Sequence, residues 1–189
     1  MGMGSFDVRG LKELQKQLEE TQKNTDAFME SCAKELAARL LRMVVMRTPV
    51  GDYSHEVEVV AKRDSKNHKK GDIYKKRINK SGKMGGALRR GWISETQGEA
   101  EKGKGSPQVK EILEYIDGVQ VTHSGGIFRI EITNPVAYAP YVEYGHRTAS
   151  HKGWVKGHFM MTISEQELQT IAPRILEKRM KDFLGGAMK

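Results

Sequence analysis

One cysteine in 189 residues leaves no partner for an internal disulfide, so the fold must hold without covalent cross-links. That residue, Cys32, lies among Phe28, Leu36 and Leu40 at helical spacing. It is expected to be buried and inert, in a chain suited to a reducing compartment. Long apolar runs are missing too. The most apolar stretch, around Leu36 to Met46, is broken by Arg39 and Arg42, whereas a spanning helix needs about twenty apolar residues. No secretory or membrane segment is predicted, and the expectation is a soluble protein without a membrane partner. Met1-Gly2 is not a myristoylation signal, because Phe6 stands where Ser or Thr is required. Apolar residues make up only 38%, below the usual share for a globular domain, so part of the chain is expected to lie outside any core.

Catalytic and cofactor-binding constellations are equally scarce. Gly98-x4-Gly103-Lys104 imitates the start of a phosphate-binding loop. The position that must offer a hydroxyl to magnesium is Gly105, however, and Glu99 and Glu101 would repel phosphate. His146, His151 and His158 cluster late in the chain without a cysteine, at spacings that match no usual zinc pattern. Glu143 near His146 has no third group to orient it and no nucleophile beside it. No catalytic residue, metal ligand or cofactor is assigned, and a non-enzymatic protein is expected. A hydrolase would need a metal or nucleophile site that these residues do not supply.

What the chain does have is one concentrated block of positive charge. The net charge is +8. Between Lys62 and Arg90 stand twelve Lys/Arg against Asp64 and Asp72, a net of +10, so the remainder sums to −2. Residues 52–84 are polar, basic and short of hydrophobes apart from Ile73, Tyr74 and Ile78. Such a composition cannot bury enough to fold alone. The expectation is a single domain, residues 1–189, carrying 52–84 as an inserted basic arm or long β-hairpin. At about 3.3 Å per residue, folded back on itself, the arm reaches at most roughly 50 Å. Its field attracts polyanions through phosphates rather than bases. Docking on an acidic partner ring, contact with DNA, and a solvated loop all remain open. Aromatic platforms for single strands are limited to Tyr53 and Tyr74.

Periodicity places the other elements. Leu11, Leu14 and Leu18 form one helical stripe; Phe28, Cys32, Leu36, Leu40 and Met43 form a second. Polar residues 21–26 between them predict two helices or one with a weak middle, and Pro49 ends the region. Gly91-Trp-Ile-Ser predicts the start of a strand, and residues 97–105 a loop. Ser106-Pro107 caps a short amphipathic helix built on Val109, Ile112, Leu113 and Ile116 and stopped at Gly118. Val119 and Val121, a Ser124-Gly-Gly126 turn, and Phe128, Ile130 and Ile132 predict a hairpin with one buried face. Trp92, this hairpin and residues 154–161 are expected to share one small antiparallel sheet. Ser164-x-x-Glu167 reads as a capping box opening a C-terminal helix that Pro173 kinks or splits.

The most informative stretch is Asn134-Pro-Val-Ala-Tyr-Ala-Pro-Tyr-Val-Glu-Tyr-Gly-His146. An Asn-Pro breaker leads into a short aromatic helix in which Tyr138, Tyr141 and Val142 share a face and Glu143 does not, with Gly145 placed to end it. Taken with Gly10-Leu11-x-x-Leu14, Thr48-Pro49-Val50 and Gly86-Ala-Leu-Arg-Arg-Gly-Trp92, the chain resembles the neck family of long-tailed bacteriophages, the small head–tail joining or tail-completion proteins. Members show a helical N-terminus ending in Thr-Pro-Val, then a Gly-x-Leu-Arg turn into a strand. A Tyr-Ala-x-Tyr-Val-Glu-x-Gly block and a C-terminal helix follow. The order matches over most of the chain, except that residues 52–84 intervene here between the second and third motifs.

The expected fold is α+β, with N-terminal helices and a C-terminal helix packed on a small, mostly antiparallel sheet. The resemblance implies a structural virion protein that forms a homo-oligomeric ring, a hexamer, between the connector or head-completion proteins and the tail tube or tail terminator. DNA would pass through its lumen. Tyr138, Tyr141, Val142 and Tyr144 are assigned to the core corner or the subunit seam. Lys69, Lys70, Lys75, Lys76, Arg77, Lys80 and Lys83 are assigned to DNA or an acidic partner ring, and Arg89, Arg90 and Trp92 to anchoring the arm. The competing expectation is a free-standing DNA-binding accessory protein that does not read sequence.

Overall fold

The computed structural model describes residues 9–80 and 85–187. In chain order the elements are α1 (Arg9–Arg47), β1 (His55–Val60), β2 (Ile73–Ile78), α2 (Ala87–Gly91), α3 (Gln97–Lys102), α4 (Val109–Gly118), β3 (Thr122–Ser124), β4 (Ile127–Arg129), α5 (Ala139–Tyr144), β5 (Gly145–Arg147), β6 (Trp154–Lys156) and α6 (Met160–Ala187). The architecture is α+β, as expected. The strands, however, do not share one sheet. Among the described residues they form three separate antiparallel pairs, β1–β2, β3–β4 and β5–β6.

The chain divides into two compact units. One holds the described residues of Met1–Met43, Lys110–Ile132 and Thr162–Lys189; the other holds those of Val44–Val109 and Thr133–Met161. In the first, Cys32, Ala37, Leu41, Ile112 and Ile116 are buried. The buried stripe of α1 is thus displaced by a residue from the predicted one, with Leu41 fully enclosed and Leu40 half-buried. The side chains of Leu11, Leu14 and Leu18 lie outside the described residues. α1 is one continuous helix, because its polar middle is followed by enough apolar contact to hold it. Phe28 stacks on Phe183 with ring centroids 4.3 Å apart, and Arg179 donates to the Ser31 hydroxyl at 2.7 Å.

α4 runs from Val109 to Gly118 as the amphipathic pattern predicts. The β3–β4 hairpin forms around Gly125 and Gly126, both at positive φ, +58° and +79°, as a tight two-residue hairpin turn requires. Its ladder is only three residues long and starts after Val119 and Val121. The expected apolar face forms but is only half-buried: Val119, Val121, Phe128, Ile130 and Ile132 are half-buried while Arg129 and Glu131 are exposed, and Phe128 stacks on His123 across the pair.

Three further expectations are corrected. Gly91-Trp92 is not a strand but the end of α2, which Gly86 opens at φ +94°. Residues 97–102 are helical rather than loop, because Thr96 and Glu99 form a reciprocal capping box. The C-terminal helix starts at Met160, four residues before Ser164, and is not split at Pro173, which lies inside it.

Candidate interaction surfaces

In the second unit, the two motifs that flank the long insertion are bonded to each other. Thr48 is fully buried at the end of α1, where Pro49 forbids another turn. Its hydroxyl donates to the Val44 carbonyl at 2.6 Å and accepts the indole N–H of Trp92 at 2.8 Å. Its carbonyl accepts Arg89 Nε at 2.5 Å, while Arg89 Nη1 donates to Ser106 Oγ at 2.9 Å. Arg90 is buried and carbonyl-bound: Nε donates to Ala100 O and Nη1 to Gly105 O, both at 2.7 Å. A guanidinium holds such a loop because its donors are fixed in a planar fork.

The Asn134-Pro135 segment meets α2 from the other side. Asn134 Nδ2 donates to the Leu88 carbonyl at 2.9 Å, and its Oδ1 accepts the Val136 N–H at 3.1 Å. This approach requires glycine at 91, since a Cβ there would lie 2.2 Å from Asn134 Oδ1. Beyond it α5 ends at Gly145, whose φ of +85° turns the chain into β5. Glu143, off the aromatic face as predicted, is buried and accepts the Met161 N–H at 3.0 Å. Its carboxylate therefore sits on the first turn of α6, where unpaired N–H groups and the helix dipole favour negative charge.

On the opposite face of α5 these motifs enclose a groove of about 270 Å³. Val50, Tyr53, Tyr138, Tyr141, Val142 and Val155 give it an apolar and aromatic lining, with Lys156, His146 and His158 at its polar edge. Tyr141 meets His146 edge-on, ring centroids 5.9 Å apart. Partial burial pushes the Tyr138 phenol above its ordinary pKa, with Tyr53 and Glu101 adding to the rise. Three of the four predicted residues, Tyr138, Tyr141 and Val142, line the groove; Tyr144 is exposed outside it. Tyr141 and Tyr144 keep 59% and 63% of their surface, and neighbouring Trp154 keeps 63%. Val50, Tyr53 and Val155 were not assigned to such a surface from sequence, because Val50 and Tyr53 lie in the segment after α1 and Val155 in β6, and none belongs to a periodic pattern.

The basic arm contains the β1–β2 hairpin. Its register sets Glu56 opposite Arg77, Glu58 opposite Lys75, and Val57 opposite Lys76. Arg77 also pairs with Asp52 at 2.7 Å. Val57, Val59, Tyr74 and Ile78 are half-buried on one face, while Val60 and Ile73, paired across the strands, are exposed at 59% and 71%. Lys69 and Lys70 lie in the connecting loop and Lys80 follows β2; all three are exposed. Lys83 lies outside the described residues. Among the described residues no cluster of three or more His, Cys, Asp or Glu suits a metal ion, and no helix is long and apolar enough to cross a membrane.

The motifs clamped here lie within the stretch matched by a family of bacteriophage tail components, structural parts of the virion. The chain belongs to the HK97-gp10-like family: the family model described as "Bacteriophage HK97-gp10, putative tail-component" matches residues 12–145. That match spans more than half of the chain and takes in all of the clamped motifs and the groove's Tyr138–Val142 face. Among curated proteins and among solved structures, none matches the chain. The family match lends no support to a free-standing DNA-binding accessory protein.

Proposed function

We propose that this tail component is a ring-forming subunit of the phage neck, a tail-completion or head–tail joining protein. Copies would pack side by side into a collar between connector and tail tube, around the DNA channel. The observation that carries this reading is the aromatic groove, in which Tyr138, Tyr141 and Val155 are exposed, with Tyr144 and Trp154 exposed outside it. A contiguous apolar patch of that kind marks a contact surface rather than a solvated one. The occupant we assign is a second copy of this chain. Each copy also presents an apolar projection, the exposed Val60–Ile73 pair on the hairpin. A groove and a projection at different places on one chain make a head-to-tail contact, which gives a ring where the rotation between copies closes.

The test replaces Tyr141 with Glu in the full chain, and separately Ile73 with Glu. Both variants should keep the wild-type circular dichroism and lose ring formation in electron micrographs, and tails made with them should fail to join heads. Normal joining by both variants, or a single copy per virion, overturns the proposal.

A further inference from the structure

The seven arm cations assigned from sequence are not equivalent. In the stem of the hairpin, Lys75 and Arg77 each face a glutamate across the ladder, and Arg77 has a second carboxylate in Asp52. The connecting loop, residues 61–72, is different. It carries Lys62, Arg63, Lys66, Lys69 and Lys70, all exposed, and among the described residues none of the five has an ion-pair partner. Its two acids are turned inward on the backbone: Asp64 Oδ1 accepts the Lys70 N–H and Asp72 Oδ2 the Lys69 N–H, both at 2.7 Å.

The loop also has a defined shape. Ser65 N–H donates to His68 O at 2.8 Å, Gly71 N–H donates to Ala61 O at 2.8 Å with Gly71 at φ +96°, and His68 stacks on Tyr74 at 4.1 Å. The five charges therefore sit on an ordered scaffold, which lowers the entropy lost when they meet a ligand.

We infer that the loop between β1 and β2 is a contact for the phosphate backbone of duplex DNA, and that the stem cations serve the hairpin itself. The chemistry distinguishes this ligand from an acidic protein. Protein interfaces are depleted in lysine and enriched in aromatic residues, methionine and arginine. The loop offers four lysines and one arginine, and its one buried apolar side chain, Ala61, is not on the surface. Point charges with no apolar anchor suit phosphates, which are bound by charge and released counterions and carry no sequence information. The contact deepens the proposed collar by naming what the arm touches, yet it does not need the ring to form.

The test measures binding of the full-length protein to a short mixed-sequence duplex by fluorescence anisotropy over a range of salt. Two variants carry the same change in net charge: Lys66→Gln with Lys69→Gln in the loop, and Lys75→Gln with Arg77→Gln in the stem. Each lost phosphate contact should lower the slope of log K against log salt by about 0.9. The loop variant is expected to lose roughly 1.8 in slope, and the stem variant less than half as much. Equal losses, no loss in the loop variant, or no wild-type binding at low salt overturn the inference. So does loop-dependent binding to polyglutamate as tight as to DNA, which would assign an acidic protein instead. Tyr141→Glu, which tests the ring, should leave the slope due to the loop in place, so the two readings can fail separately.

Discussion

The indole N–H of Trp92 donates to the hydroxyl of Thr48 at 2.8 Å, and both residues are buried. Forty-three residues of sequence, the whole 52–84 arm among them, lie between the two ends of this bond. The pair ties together the two ends of this long excursion. Thr48 and Trp92, helped by Arg89 on the Thr48 carbonyl, close the base of the arm, and loop-closure entropy grows only slowly with length.

Thr48→Val keeps the shape of the side chain and strands the indole N–H in a buried site. Leaving a buried donor unpaired costs about 1–3 kcal/mol, so urea unfolding followed by Trp92 fluorescence should show a loss of that size. Thr48→Ser retains the hydroxyl and should cost clearly less. Equal stabilities for the two variants would mean that the bond does not hold the arm's base.

Gly91→Ala should destabilise by about 1–3 kcal/mol, the usual cost of forcing an extra carbon into a packed site. The new Cβ would sit 2.2 Å from Asn134 Oδ1 and 2.8 Å from Val136 Cγ2. Asn134→Ala relieves the first clash but gives up the bond to Leu88 O. The double variant should therefore fall short of the summed single effects by at least about 0.5 kcal/mol, measured as a double-mutant cycle on denaturant midpoints. Strict additivity would separate the two motifs energetically.

These two contacts mark where the sequence could be read and where it could not. Local signals were legible: Pro49 ending α1, Gly125-Gly126 turning a hairpin, and Tyr138, Tyr141 and Val142 on one face of α5; Ser106-Pro107 misplaced the start of α4, which opens at Val109 while the Ser106 hydroxyl accepts Arg89. Elements held by distant partners were not legible. α2 is five residues long and is pinned by Thr48, Ala100 and Asn134, so no period of its own reveals it, and Trp92 passed for a strand residue. The start of α6 was misread for the same reason. Its N-terminal acceptor, Glu143, comes from another element, and Ser164 only resembles a cap. The cross-strand pairing of Glu56 and Glu58 with Arg77 and Lys75 depends on register, which the loop geometry sets. Composition alone therefore overstated the free charge of the stem.

Asp52 gives a pH prediction at the base of the hairpin. The Ser54 hydroxyl and backbone N–H both donate to it, and the Arg77 guanidinium lies beside it; together these hold its carboxyl below the usual carboxylate range. A carboxyl whose folded-state pKa is depressed stabilises the fold above its unfolded pKa, and that contribution is lost as pH falls through the folded value. A carboxyl-carbon NMR titration should place the Asp52 midpoint below that of an unstructured aspartate. Ser54→Ala should move it upward, because the hydroxyl is the largest cause. A midpoint indifferent to Ser54 would refute this assignment.

Glu143 carries the last prediction, because it links the aromatic helix to the start of α6. Its buried carboxylate accepts the Met161 N–H, one of the four N–H groups that a helix leaves unpaired at its first turn. Glu143→Ala removes both the acceptor and the negative charge. Loss of such a cap costs about 0.5–2 kcal/mol, and a thermal melt should register a drop in that range or above it. Glu143→Gln keeps an oxygen acceptor and loses only the charge at the helix end, which is worth about 0.3–1 kcal/mol. Amide exchange at Met161 separates the two effects: it should quicken in the alanine variant and stay slow in the glutamine variant. If Met161 exchanges alike in both, the side chain stabilises α5 alone, and the start of α6 must be set by the positive φ of Phe159 instead.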